Sequence, residues 1–155
     1  KEVVSVYVDN KANVLSRVVS LYGRRGFNID SLTVSATNDP GISRITIVFE
    51  GDNLTLHQIV AQTEKLEVVR SIKTLDGSKS FFRELLMIKV KADQSKRREI
   101  KEIVDIFRAK IINLTKEEMV LELTGAPEKL DAFLDLIEDY EIVDICRTGV
   151  TGIEK

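Results

Sequence analysis

The chain has 155 residues, long enough for one domain or two small ones of about 75 residues, and it carries 23 Lys and Arg against 25 Asp and Glu. At 43% hydrophobic and 31% charged residues it has the balance of a globular chain rather than a disordered one, and its size needs neither disulfide nor metal to hold a core. The formal charge of −2 argues against a dedicated nucleic-acid binder, and the single cysteine, Cys146, excludes an internal disulfide framework and fits a reducing cytosol.

Residues 3–9 are β-branched and aromatic and read as a strand. Asn13 is placed to cap a helix in which Val14, Leu15, Val18, Val19 and Tyr22 recur at helical spacing, with Gly23 and Gly26 stopping it. Residues 29–37 alternate as a second strand, Asn38-Asp39-Pro40-Gly41 is a turn, and Ile45, Ile47 and Phe49 mark a third strand. Asp52 or Asn53 caps a helix bearing Leu56, Ile59, Val60 and Thr63, and residues 67–75 form a fourth strand. The order β-α-β-β-α-β then repeats. Leu86, Ile88, Val90 and Ala92 alternate, and Ile100, Ile103, Val104 and Phe107 share a helix face. Residues 111–114 and 119–123 form a hairpin, Pro127 opens a helix with Leu130, Phe133, Leu134 and Ile137, and residues 141–148 close the unit. The small polar linker Asp76–Ser80 sets the expected boundary, giving domains 1–77 and 78–155, with 9 basic and 9 acidic groups in the first and 14 and 16 in the second.

Two such repeats predict an α+β chain of two ferredoxin-like sandwiches, each an antiparallel sheet with two helices on one face. The usual strand order, 4-1-3-2, leaves the second and fourth strands at the edges. The fourth is guarded by Arg70 and Lys73, but Ile29–Thr37 has no Lys, Arg or Pro, so two copies are expected to pair through it as a homodimer with an eight-stranded sheet.

Asp9-Asn10-Lys11-Ala12-Asn13 ends a strand and opens a helix, whose first N–H groups form a natural carboxylate site. Asn10 adds an amide that can donate to a carboxylate and accept from an ammonium group, while Val14 and Leu15 can wall a small apolar pocket. This is the inventory for a free amino acid with a short branched side chain, with Asn28-Ile29 of a paired copy alongside. Equally, Asn13 as a simple cap and Asn10 as a turn former need no ligand, so the residues alone leave both readings open.

Asp9-Asn10-x-x-x-Val14-Leu15-Ser16-Arg17-Val18, then Arg25–Val34, then Ser43–Ile47, resemble the amino-terminal ACT domain of the small, regulatory subunit of acetolactate synthase. Arg83–Val90, Phe107-Arg108, Leu123-Thr124-Gly125 and Arg147-Thr148-Gly149 are similar to its second half, so the likeness covers nearly the whole chain. The resemblance implies a protein without an active site that binds the large catalytic subunit, raises its activity and confers feedback by valine in branched-chain amino-acid synthesis. Thiamine diphosphate, magnesium and FAD are then expected in that large subunit and no cofactor in this chain. The effector-binding residues it implies are Asn10, Asn13, Val14 and Leu15 of one subunit with Asn28 and Ile29 of the other, and Ser16 as a support of the turn. Asn13 departs from the Gly of many members; it either narrows the pocket or adds a contact.

The rest of the chain offers little competing chemistry. With one His, one Cys and no Trp, a metal site or catalytic triad would lean on His57 or Cys146 alone. His57 reads as structural or solvated and Cys146 as a small core residue of a strand. Lys96-Arg97-Arg98 with Lys101 is either a solvated face or a hint of an acidic partner surface. An RNA-recognition module shares the fold, but here Tyr7 and Phe49 are the only aromatic residues on the central strands. No apolar stretch approaches the roughly 18 residues of a membrane span, and Lys1-Glu2 carries no signal-peptide pattern. Without an initial Met the chain reads as trimmed, and a cytoplasmic location is expected. A free-standing amino-acid-sensing ACT protein acting on another enzyme is the alternative function.

Overall fold

Val4, Val6 and Val8 alternate along β1 (Glu2–Asp9) and all three are buried, as are Ile45, Ile47 and Phe49 of β3 (Ile42–Phe49). Paired antiparallel, with Val6 opposite Ile45, these rows make the apolar face that two helices cover. The computed structural model describes all residues 1–155 and divides them into two units, residues 1–81 with 149–155, and residues 82–148.

In the first unit α1 (Val14–Arg24) turns Val14, Val18, Leu21 and Tyr22 onto the sheet, and α2 (Asn53–Glu64) adds Ile59. Asp52 caps α2 by accepting from the Thr55 backbone N–H at 2.8 Å. Gly23 does not stop α1 but lies within it; the stop is Gly26, in the left-handed region at φ 72°. Gly26 N–H donates to Gly23 O and Phe27 N–H to Tyr22 O, and the Phe27 and Tyr22 rings meet edge to face at 6.1 Å. That is a Schellman stop with its hydrophobic contact, and it aims the chain into β2 (Ile29–Ala36). With β4 (Val69–Thr74) the sheet order is β2-β3-β1-β4, so β2 and β4 lie at the edges as expected.

Tyr22 is fully buried, and its hydroxyl lies 2.8 Å from Thr63 Oγ1, joining α1 to α2. Because Thr63 Oγ1 donates to Ile59 O, the Tyr22 hydroxyl is the donor in the pair. Burial pushes the Tyr22 phenol up. Tyr22→Phe is expected to cost about 1 kcal/mol, the net worth of one buried hydrogen bond, as a lower denaturation midpoint with an unchanged slope.

The second unit repeats the plan. Leu86, Ile88 and Val90 of β5 (Ser80–Lys91) pair with Leu123, Leu121 and Met119 of β7 (Glu118–Gly125). They face α3 (Gln94–Phe107), capped by Asp93, and α4 (Pro127–Ile137), with Phe107 and Phe133 edge to face at 5.4 Å. With β6 (Lys110–Leu114) and β8 (Ile142–Arg147) the order is β6-β7-β5-β8. Cys146 is exposed, not a core residue: β8 is an edge strand, and Ile142, Val143 and Ile145 are exposed with it. Arg147 is clasped from two sides, Nη2 lying 2.5 Å from Glu84 Oε2 and Nη1 2.8 Å from Asp131 Oδ1, which holds its pKa above the ordinary value.

The chain does not end in the second unit, as a boundary at 78–155 expects. Residues 149–155 return to the first, where β9 (Thr151–Glu154) pairs with β5 and Lys155 N–H donates to Lys79 O. This short strand lies beyond the repeat that the spacing revealed.

Candidate effector site

The turn from β1 into α1 is pinned on two sides. Asn10 N–H donates to Gly41 O and Asn10 Nδ2 to Pro40 O, at 2.9 and 3.0 Å, tying it to the β2–β3 turn. On the other side Arg70 Nε lies 2.5 Å from Asp9 Oδ1, and this bond holds the Asp9 carboxyl below the usual carboxylate range. With its amide nitrogen engaged, Asn10 presents its side-chain carbonyl as a free acceptor, the partner an ammonium group needs.

Asn13 stands at φ 69°, ψ 2°, in the left-handed region, and its side chain caps nothing. A non-glycine residue there carries a steric cost that Asn tolerates better than most, which is why Gly and Asn are the residues suited to this position. The reading of Asn13 as a side-chain cap therefore fails. The backbone N–H groups of Val14, Leu15 and Ser16 find no acceptor in the chain, and the first main-chain bond of the helix is Arg17 N–H to Asn13 O. Three unpaired donors at the positive end of a helix dipole have the chemistry that suits a carboxylate.

Val14 is 4% exposed and belongs to the core, so it supplies only its backbone; Leu15, exposed, offers the apolar wall. The Ser16 hydroxyl makes no hydrogen bond within the chain, and Ser16 lines an open groove along α1 with Asn13, Arg17, Ser20, Arg24 and Leu66. Asn28 is exposed and Ile29 half-buried at the start of β2, but a single chain does not bring them to the turn. Ile29 pairs with Phe49 at the end of β3, whereas Asp9 pairs with Ile42 at its beginning, about 23 Å away at roughly 3.3 Å per residue.

Elsewhere the chemistry is sparse. No three His, Cys, Asp or Glu side chains gather as a metal site, His57 is solvent-exposed, and no helix is long and apolar enough to cross a membrane. Tyr7 lies under the Arg44 guanidinium, 5.6 Å from its ring centroid, and Phe49 is wholly buried, so neither ring is a bare stacking platform. The basic cluster on α3 is partly satisfied internally: Arg97 donates to Thr115 O and Lys101 pairs with Asp105 at 3.1 Å.

Known proteins share this arrangement. Residues 4–71 match the family model for the ACT domain of the acetohydroxyacid synthase small subunit and its like, and residues 83–155 that for the small subunit of acetolactate synthase. A probable acetolactate synthase small subunit of Archaeoglobus fulgidus is 43% identical over 100% of this chain and 97% of its own. The isozyme 3 small subunit of Escherichia coli is 40% identical over 100% and 96%. The crystal structure of the acetolactate synthase small subunit from Thermotoga maritima superposes with a TM-score of 0.93 at 38% identity, covering 99% of this chain and 96% of that one. The chain belongs to the acetolactate synthase small-subunit family. It is a regulatory, non-catalytic subunit, and its first unit is an ACT domain.

Proposed function

We propose that this small subunit binds valine at the β1–α1 turn of a homodimer, activates the large catalytic subunit of acetolactate synthase and makes it sensitive to valine. The observation that carries the reading is the unpaired N–H row of Val14, Leu15 and Ser16 beside the free carbonyl of Asn10. The first takes a carboxylate, the second an ammonium group, and Leu15 offers a surface to a short branched side chain.

Register arithmetic supports a second copy in the site. If β2 pairs antiparallel with itself about Thr33, Ile29 of one copy lies opposite Thr37 of the other, next to Ala36. Ala36 pairs with Ser43, and Ser43 with Val8, so that row ends beside the effector turn. Asn28 of one copy then reaches the turn of the other, which the 23 Å separation within a chain forbids. The β2 edge carries no Lys, Arg or Pro to prevent such pairing.

The chemistry, in this reading, belongs to the large subunit with its thiamine diphosphate, magnesium and FAD, in the cytoplasm, and valine acts by linkage. A coupling of about 1–3 kcal/mol is required and is reciprocal, so the bound large subunit changes valine affinity by the factor by which valine changes its own. Calorimetry with and without the large subunit tests this; equal affinities would overturn the coupling. Asn10→Ala and Asn28→His are each expected to weaken valine binding at least tenfold, the worth of one charge-assisted hydrogen bond, while subunit association persists. Loss of association in either variant would assign these residues to packing instead.

A further inference from the structure

The outer face of the ACT sheet, turned away from its helices, carries Ser5 and Thr46 among Val3, Tyr7, Arg44 and Val48, yet Ser5 is fully buried and Thr46 is 2% exposed. Residues 149–154, far along the same chain, pack against this face. Arg44 is the centre of the contact: its Nε donates to Ser5 Oγ at 2.8 Å, its Nη2 to Gly152 O, and its guanidinium lies over Tyr7. Lys73 of β4 pairs with Glu154 at 2.7 Å. At the other side Gly149 lies so close to β2 that a Cβ there would stand 2.6 Å from Thr33 Oγ1 and 3.3 Å from Leu32 N. Residues 149–154 thus form a strap that meets β2, β3 and β4 in turn, and reaches β1 through Arg44, which bonds both Ser5 and Gly152.

The strap is well placed to carry a signal. Arg44 follows Gly41 by three residues along β3, and the Gly41 and Pro40 carbonyls are what hold the effector turn through Asn10. At its other end the strap continues directly into Thr148, the last residue of the second unit. We infer that this Arg44-clamped strap is the coupling element of the small subunit, by which the state of the effector turn reaches the second unit through its returning chain end. The inference rests on the valine reading. It makes Arg44 a positioning residue, touching neither effector nor large subunit.

The test uses the full-length chain reconstituted with the large subunit, comparing wild type with Arg44→Met, the milder Glu154→Ala, and a chain ending at Val150. Each is assayed for valine affinity by calorimetry, for binding to the large subunit, and for activity at saturating valine. In the variants valine affinity is expected to stay within about threefold and association to persist, while the inhibition exerted by bound valine falls by about fivefold or more, the lower end of ordinary allosteric couplings. In wild type, amide exchange of residues 151–154 is expected to change on adding valine. If Glu154→Ala and the folded Arg44 variant are inhibited by bound valine as fully as wild type, the strap is not the coupling element. If wild type itself binds no valine, the effector reading fails first and the inference falls with it, a result the calorimetry alone identifies.

Discussion

Val34→Lys is expected to keep two copies of the small subunit from pairing through β2 and, on the valine reading proposed above, to abolish valine binding in the same step. Val34 is 45% exposed on the unguarded edge strand β2, opposite Ile45 of β3. In the self-paired register it lies one position from the dyad, so the substitution sets two ammonium groups near each other across the new seam, where like charges oppose pairing. The fold of the chain should survive, because the side chain points into solvent in the single protomer. Sedimentation or scattering at working concentration should show the mass halved, and calorimetry no valine heat. A dimer of undiminished mass would place the interface on another surface and remove Asn28 from the site.

Arg147→Met is expected to be the most damaging single change in the second unit. Glu84 is 7% exposed, and Arg147 is its only ion-pair partner as well as that of Asp131 at the start of α4. Removing the guanidinium strands a buried carboxylate, with a cost of about 2–4 kcal/mol given that Arg147 itself is partly open to water. Amide exchange in β5 and β7 should accelerate throughout, while β1 and β3 are unaffected. The double variant Glu84→Leu with Arg147→Met should recover much of the loss, since an apolar pair carries no desolvation cost. Equal exchange in the single variant and wild type would show the bridge to be an ordinary surface pair.

The architecture was legible because the two periodicities are clean. Val4, Val6 and Val8 at spacing two, and Ile100, Val104 and Phe107 at helical spacing, each lie on the face that the spacing demands, and every strand of both repeats forms where expected. What sequence could not supply depends on distant neighbours. Cys146, between Ile145 and Arg147, has the composition of a core strand, and that composition outweighed the edge position the expected strand order already gave it. β9 has four residues and forms by pairing with a segment some 70 positions earlier, so no local pattern announces it. At the turn, Asn13 precedes α1 as expected but does not cap it: it tolerates a left-handed backbone, and its side-chain oxygen takes no part. The match of Arg83-Glu84 with Arg147-Thr148-Gly149 acquires its reason only in three dimensions. Arg147 bonds Glu84, the Thr148 hydroxyl accepts from Leu85 N–H, and Gly149 lets the chain pass close over β2.

The returning strap also dictates an order of events during synthesis. Chains emerge from the ribosome N-terminus first and domains usually fold as they appear, yet here the earlier sheet waits for residues made after the whole second unit. Residues 82–148 can close their own core while Ser5, Thr46 and the Arg44 guanidinium still face water, and only when residue 154 has emerged does the earlier sheet receive its cover. A nascent chain stalled short of Gly149 would hold a finished second half and an unfinished first.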